Sequence, residues 1–291
     1  MLERLSNSEK ILIMQKIDSH QHFWKYDPQT YSWIPDEMSV IRKDFTPKDL
    51  KPLLSQNGIS GCIAVQADQS EAETEKLLQM AEQHDFVKGV VGWVDLNSPD
   101  VEEHLNQYSK NPFFKGIRHT VWDEKGEFMI APEFQRGLSL LASKRLTYDI
   151  LAFDYQLGSA VEMVQAFPRQ KFVLDHMGKP QISGKPDKRW TRHIEQLAES
   201  PNVWCKISGL VTETPAFRWK SIDFSSFLEV VTEAFGVDRL MFGSDWPVCL
   251  SAANYKEVVG VVEKFFSGYS KEDQEKIFGK NASEFYNLKI E

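Results

Sequence analysis

Two histidines separated by one residue, His20 and His22, lie near the start of the chain in the segment Ile17–Trp24. Side chains at positions i and i+2 of a β-strand point to the same face, about 7 Å apart along the strand. Near the other end, Asp245 follows the apolar run Leu240–Phe242 after two small residues. A carboxylate in such a place is unfavourable unless it is paired or used. If the first and last strands are neighbours in a closed barrel, two imidazoles and a carboxylate meet there, and such a group can bind a metal ion or activate water.

Further polar residues end other apolar runs. Arg118 and His119 lie at the end of the run Phe114–Thr120, and His176 follows Asp175 at the end of another. A guanidinium can form two hydrogen bonds to carboxylate or carbonyl oxygens, which favours substrate binding, and a structural salt bridge is the alternative. Three tryptophans that follow strand ends suit either stacking on a small ring or packing at a barrel rim: Trp24, Trp122 and Trp246.

The elements that position these residues alternate along the chain. Short runs rich in β-branched and aromatic residues predict eight strands: Ile17–Trp24, Gly61–Gln66, Gly89–Leu96, Phe114–Thr120, Leu146–Ala152, Phe172–His176, Val203–Ser208 and Leu240–Ser244. Most of the gaps carry a helical pattern. One of these helices is predicted from Ser70 onward by the acids in its first turn, and Ser98 is predicted to cap another that has Pro99 at its first position.

Alternating strands and helices imply parallel strands buried on both faces, and eight such units indicate a single (β/α)8 TIM barrel. A doubly wound open sheet is the competitor, but the glycine-rich phosphate loop typical of it is absent after the first strand. We therefore predict one barrel domain over residues 16–291, with residues 1–15 as an N-terminal appendage. Chemistry in such a barrel takes place at the carboxyl ends of the strands.

Composition limits the classes of function. The 291 residues carry a net charge of −8 and contain no basic cluster interleaved with aromatic residues, so nucleic acid is not expected as a partner. No apolar stretch reaches the roughly 18 residues needed to span a bilayer. The three cysteines, Cys62, Cys205 and Cys249, are far apart and lie in apolar runs, which predicts reduced thiols and a cytoplasmic protein.

Four motifs together carry a family resemblance. They are His-x-His at His20–His22, Gly-Ile-Arg-His at Gly116–His119, Asp-His-Met-Gly-Lys-Pro at Asp175–Pro180 and Gly-Ser-Asp-Trp-Pro at Gly243–Pro247. In this order they resemble the amidohydrolase superfamily, and more narrowly its "amidohydrolase 2" branch of sugar-lactone and aromatic-lactone hydrolases, which includes fuconolactonase- and rhamnonolactonase-like enzymes. The resemblance extends from about Ile17 to Tyr286.

The resemblance implies roles for the matching residues. It makes His20, His22, His176 and Asp245 the catalytic group and places Arg118 and His119 in the substrate pocket, where Trp24, Trp122 and Trp246 are expected to contribute aromatic walls. His20, His22 and Asp245 are also the ligand set for one divalent metal, by type zinc.

The chain departs from its metal-dependent relatives on two strands. The fifth strand carries Tyr148 and Asp149 where those relatives have a histidine, and Lys115 lies early in the fourth strand, away from the catalytic end. A binuclear centre is therefore not expected, and a mononuclear metal is expected to be weak or dispensable.

The predicted activity is hydrolysis of a small lactone, most simply a sugar (aldono)lactone, and neither nucleic acid nor a membrane is expected as a partner. In this prediction Asp245 activates water while the three histidines polarise the carbonyl. Two alternatives stay open: a metal-dependent decarboxylase of the same superfamily, and a non-catalytic barrel that binds a sugar acid. The oligomeric state is open as well.

Overall fold

The structure, a computed structural model, describes residues 15–120 and 126–289. The predicted appendage lies outside this part of the chain except for Gln15, and Trp122 lies outside it too. The strands are β1 (Lys16–Gln21), β2 (Ile59–Val65), β3 (Val87–Gly92), β4 (Phe114–Thr120), β5 (Thr147–Leu151), β6 (Phe172–Leu174), β7 (Val203–Ile207) and β8 (Leu240–Phe242). The α-helices are α1 (Pro47–Gln56), α2 (Glu71–Gln83), α3 (Val101–Tyr108), α4 (Pro132–Leu138), α5 (Leu157–Ala166), α6 (Lys188–Ala198), α7 (Ser225–Phe235), α8 (Tyr255–Phe266), α9 (Lys271–Glu275) and α10 (Asn281–Phe285).

The predicted (β/α)8 barrel is confirmed. Each strand pairs in parallel with the next from β1 to β8. The barrel closes where the amide of Asp245 donates to the carbonyl oxygen of His20 at 2.8 Å and the amide of His22 donates to that of Trp246 at 2.7 Å. The first and last strands are therefore neighbours, as the site prediction requires.

Most strands end earlier than the apolar runs suggested, including β1 at Gln21 and β3 at Gly92. β6 ends at Leu174 and β8 at Phe242, so His176 and Asp245 lie in the turns that follow. Both residues have left-handed backbone conformations, with φ of 52° and 56°. Non-glycine residues adopt this region at an energetic cost and are enriched at functional sites.

The helix starts were predicted with mixed success. α2 lies where it was predicted, and Ser70 caps it by accepting the amide of Glu73 at 3.2 Å. Ser98 does not cap α3, which begins at Val101. The Ser98 hydroxyl instead accepts the amide of Asp100, and its carbonyl accepts that of Val101, so this serine holds a turn before the helix.

The barrel interior is filled in layers. Ile17, Val91, Val173 and Met241 belong to one small apolar cluster, which Tyr286 joins just after α10. Strand positions beyond this cluster carry the polar residues described below, so the apolar layer supports the site. The helices pack their apolar sides around the sheet in the main core.

Two further expectations can be compared with the structure. Cys62, Cys205 and Cys249 are buried and form no disulfide. Among residues 15–120 and 126–289, no helix combines the length and apolar composition that crossing a bilayer requires.

Candidate active site

Four predicted residues converge at the carboxyl end of the barrel. His20 Nε2 lies 3.2 Å from His22 Nε2 and 3.8 Å from Asp245 Oδ1, and His22 Nε2 lies 3.3 Å from the same oxygen. The ring centroids of His20 and His176 are 4.5 Å apart. All four side chains are buried. The structure thus brings together residues from three regions of the sequence.

Hydrogen bonds from outside the group orient two of the rings. His22 Nδ1 lies 2.8 Å from the carbonyl oxygen of Val65, and His176 Nδ1 lies 2.9 Å from the hydroxyl of Ser208. A carbonyl oxygen only accepts, so a neutral His22 carries its proton on Nδ1 and presents an unprotonated Nε2 to Asp245. His22 Nε2 and Asp245 Oδ1 are then both hydrogen-bond acceptors. Two acceptors at this distance repel each other unless a proton or a bound cation lies between them.

The donor atoms suit a divalent metal. One ligand atom from each of His20, His176 and Asp245 lies within 4.8 Å of the other two. The ligand set predicted from the sequence contains His22 in place of His176. Its ligand atoms are also close together, since they lie 3.2, 3.3 and 3.8 Å from one another. Imidazole nitrogens with a carboxylate oxygen are the donors that zinc prefers, and the bonds made by Nδ1 of His22 and His176 are the kind that fixes a ligand's orientation.

Burial and neighbouring charges set the protonation states. Burial holds the pKa of His20 and of His176 well below the usual range, so both rings are neutral at neutral pH. Burial alone would raise the pKa of Asp245, but the interactions of its carboxylate with His176 and His22 outweigh this effect, and the pKa is lowered. The group therefore presents neutral imidazoles beside an ionised carboxylate.

A buried ionic layer lies against His20. The Lys206 ammonium contacts Asp149 at 2.5 Å, Asp175 at 3.0 Å and His20 Nδ1 at 3.2 Å. Arg118 Nη1 lies 3.3 Å from both Asp175 and His20 Nε2. Lys206 therefore serves as an ion-pair partner within this layer.

A cavity of about 260 Å³ opens onto the group. Ligand pockets commonly measure about 300–1,000 Å³, so this one suits a single small ring. His22, Arg118, His176 and Asp245 line it, and His20 lies behind them. Most of its other lining residues are apolar, and all of these except Leu151, the last residue of β5, come from loops after the strands: Trp33, Pro35, Met38, Ala67, Leu151, Phe153, Phe217 and Val248. The remaining ones are polar: Thr120, Lys179, Thr212 and Glu213.

The family follows from comparison with known proteins. A family model described as Amidohydrolase matches residues 17–288. The chain belongs to the amidohydrolase family. Two curated relatives, both L-fucono-1,5-lactonases, are similar to this amidohydrolase: the protein of Burkholderia multivorans is 37% identical and that of Burkholderia ambifaria 32%, each alignment covering 94% of this chain and 96% of the relative.

A solved structure is similar over the same extent. It is a crystal structure of an amidohydrolase from Burkholderia multivorans with bound zinc, which superposes with a TM-score of 0.91 at 36% identity. The match covers 94% of the present amidohydrolase and 100% of that chain. The family resemblance drawn from the four motifs is thereby confirmed.

The predicted binding residues are distributed unevenly in this amidohydrolase. Arg118 lines the cavity, whereas His119, the next residue on β4, points to the opposite side and stacks on Phe128 with 4.4 Å between ring centroids. Adjacent residues of a strand face opposite sides, which explains the difference. Trp24 and Trp246 are buried away from the cavity lining, where each packs against Phe45.

Several cavity residues of the amidohydrolase were not singled out from the sequence. Trp33, Phe153 and Phe217 supply the aromatic lining, and Lys179 and Glu213 supply a pair of charges. They lie in loops, where no repeating hydrophobic pattern indicates which way a side chain points. Only Lys179 carried a signal, because it belongs to the motif that contains His176.

Proposed function

We propose that the protein hydrolyses a sugar (aldono)lactone, and that L-fucono-1,5-lactone, the substrate in the names of the two Burkholderia relatives, represents the substrate class. The observation that carries this proposal is an ionised carboxylate, Asp245, in a small cavity beside neutral imidazoles and a guanidinium. These groups can activate water and stabilise the oxyanion of a lactone without a covalent nucleophile. The small cavity admits one ring.

Asp245 is the general base in this proposal. Its carboxylate takes a proton from a water molecule as the water oxygen forms a bond to the lactone carbonyl carbon. The resulting oxyanion collapses, the bond between that carbon and the ring oxygen breaks, and the proton held by Asp245 passes to the ring oxygen. The product is an open hydroxy acid that ionises and releases a proton to the solution.

Arg118 and the imidazoles support the carbonyl side of the reaction. Arg118 is a permanent cation on the cavity lining, held by the buried carboxylate of Asp175. A fixed positive charge near the carbonyl oxygen stabilises the oxyanion more in the transition state than in the ground state. His22 and His176 lie on the same lining and orient the water and the lactone ring relative to Asp245.

The group also fits a metal ion. His20, His176 and Asp245, with His22 beside them, would hold it through the nitrogen and oxygen atoms described above. When bound, a divalent ion supplies Lewis acidity and lowers the pKa of bound water. Zinc in the similar Burkholderia structure supports zinc as the ion to test first.

Hydrolysis of a panel of aldonolactones, followed with a pH indicator against an enzyme-free blank, tests the proposal. Parallel reactions contain a chelator, and the metal content of the protein is measured separately. We expect saturable acid release on at least one hexonolactone. Turnover that survives chelation assigns catalysis to Asp245 with Arg118 and the histidines, and turnover that only zinc restores adds metal binding to their roles. Absence of turnover above the blank on every lactone would reject the proposal and favour the decarboxylase or the non-catalytic barrel.

A further inference from the structure

The cavity contains a second ionic pair apart from the catalytic group. The ammonium of Lys179 donates to Oε1 of Glu213, and the two side chains are only 13% and 18% exposed. Lys179 Nζ also lies 5.5 Å from the centroid of the Phe153 ring. The pair is therefore part of a partly desolvated wall rather than a contact in open solvent.

The backbone around both residues is fixed. The amide of Lys179 donates to the carbonyl of His176 at 2.9 Å, and the amide of Glu213 donates to that of Gly209 at 3.2 Å. The carbonyl of Glu213 in turn accepts the amide of Ile182 at 3.2 Å, which ties the loop after β7 to the loop after β6. A pair held this way presents the same charges to every ligand that enters.

The cations on the described part of the cavity lining are both matched by carboxylates. Arg118 contacts Asp175, and Lys179 contacts Glu213. A ligand with a carboxylate of its own would find the charge of Lys179 already neutralised by Glu213. It would also approach the negative charges of Glu213 and Asp245, which lie on the same lining.

Glu213 retains capacity for a neutral ligand. A carboxylate offers about four acceptor positions on two oxygens, and Lys179 occupies a position on Oε1. Hydroxyl groups of a polyhydroxylated ring are suitable donors, and Thr212 adds a hydroxyl beside them on the lining. Hydrogen bonds to an ionised acceptor are roughly twice as strong as those between neutral groups.

We propose that Glu213 determines specificity: it neutralises Lys179 so that the cavity rejects lactones carrying a carboxylate, and it accepts hydroxyl groups of neutral polyhydroxylated lactones. The inference rests on the proposed lactonase function, whose substrate class it narrows. Glu213 takes no part in bond making and acts through contact with the ring.

Two substitutions separate the two parts of this role. Glu213→Gln removes the charge but keeps an acceptor oxygen, and Glu213→Leu removes both. The matched control is Asp154→Asn, which breaks another partly buried ion pair, with Arg189 at 3.1 Å, at a residue off the cavity lining.

Binding is measured by calorimetry with two non-hydrolysable probes, so that the result does not depend on turnover. One is a galactonolactam, and the other is the galactarolactam, in which the terminal carbon is a carboxylate. For the wild type we expect the neutral lactam to bind and the anionic one to bind more weakly. Glu213→Gln should lower the ratio of the dissociation constant of the anionic lactam to that of the neutral lactam by about tenfold. Glu213→Leu should weaken the neutral lactam by about tenfold or more, and Asp154→Asn should leave the ratio unchanged.

An unchanged ratio in Glu213→Gln, or a wild type that fails to prefer the neutral lactam, would overturn the inference. Thermal melting confirms that each variant is folded before binding is compared. Hydrolysis of neutral lactones by the wild type is assayed separately. If no lactone is hydrolysed but lactam binding changes as expected, the proposed reaction is rejected and the role of Glu213 in binding stands.

Discussion

Asp245 combines a strained backbone with an unusually acidic side chain. Its φ of 56° aims the carboxylate at His22, and the hydrogen bond between its amide and His20 holds the turn. The lowered pKa keeps the carboxylate ionised at neutral pH, which is the state that a general base requires. The local strain therefore has a functional explanation in the direction of this one side chain.

Replacing Asp245 with asparagine should remove the base and keep the shape of the site. We expect kcat on the best lactone of the panel to fall by about 10²- to 10⁴-fold, the usual contribution of general acid–base catalysis, with a thermal melting temperature close to that of the wild type. Asp223→Asn, at an exposed carboxylate off the cavity lining, should retain full activity. Near-normal turnover in Asp245→Asn would show that another group activates the water.

At the scale of elements, the approach of β8 to β1 positions His20. A Cβ atom built on Gly243 would lie 2.6 Å from Cβ of His20 and 3.2 Å from Cβ of Ser208. Contacts below 3 Å are not tolerated, so a methyl group here must displace His20 or the strand. The absence of a side chain at this position is therefore a requirement of the site.

Gly243→Ala should consequently lose activity while Gly260→Ala does not. We expect Gly243→Ala to cost about 1–3 kcal/mol of unfolding free energy through overpacking and to lower kcat/KM at least tenfold. Gly260 lies in α8 with no atom within 4 Å of its built Cβ, so alanine there should stabilise the helix by up to about 1 kcal/mol. Urea unfolding and the lactone assay measure both effects. Wild-type kcat/KM in Gly243→Ala would contradict the positioning argument.

Glu73 links α2 to the loop after β2, which carries the cavity residue Ala67. Its carboxylate accepts the amide of Ala67 at 3.0 Å and lies 3.4 Å from the hydroxyl of Tyr31. Burial raises the pKa of Glu73 to about 8. The folded state therefore keeps a proton that the unfolded chain releases near the ordinary glutamate pKa.

This difference makes stability fall as the pH rises. Between the ordinary pKa and about 8, the folded state binds more protons, so the unfolding free energy decreases by up to about 1.4 kcal/mol per pH unit. We expect the melting temperature of the wild type to drop more between pH 6 and pH 9 than that of Glu73→Gln, which has no proton to release. An equal drop in melting temperature for the two proteins between pH 6 and pH 9 would show that Glu73 is not the source of the pH dependence.

The sequence predicted the elements better than the directions of side chains in loops. Hydrophobic runs located the strands, and polar residues at their ends identified His20, His22, His176 and Asp245, which the structure brings together. Trp24 lies off the cavity lining because its indole N–H donates to the carbonyl of Lys43, a contact that no local pattern reveals. Glu213 and its partner Lys179 were missed as a pair because two separate loops meet only in the folded barrel.

At the scale of the whole molecule, the barrel balances charge in its interior. Asp149 and Asp175 face Lys206 and Arg118, and the hydroxyl of Tyr286, just beyond α10, reaches Asp149 at 2.7 Å. Burial raises the pKa of Asp149 to about 6 against the opposing effect of Lys206, so this carboxylate is ionised at neutral pH. Two cations and two carboxylates thus connect β4, β5, the turn after β6, β7 and the C-terminal segment beneath the site.

Removal of Lys206 should disturb this balance far more than removal of a surface cation. Lys206→Met leaves two buried carboxylates with one cation, and breaking a buried pair costs about 3–5 kcal/mol. Lys16→Met, which breaks the partly exposed pair with Glu263, should cost about 1 kcal/mol or less. The double substitution Lys206→Met with Asp149→Asn restores neutrality, since Asp175 keeps Arg118, and should recover most of the lost stability. Urea unfolding, or the yield of folded protein where Lys206→Met does not accumulate, measures the difference. A double variant no more stable than Lys206→Met would mean that packing around the lysine stem, and not charge balance, holds this layer together.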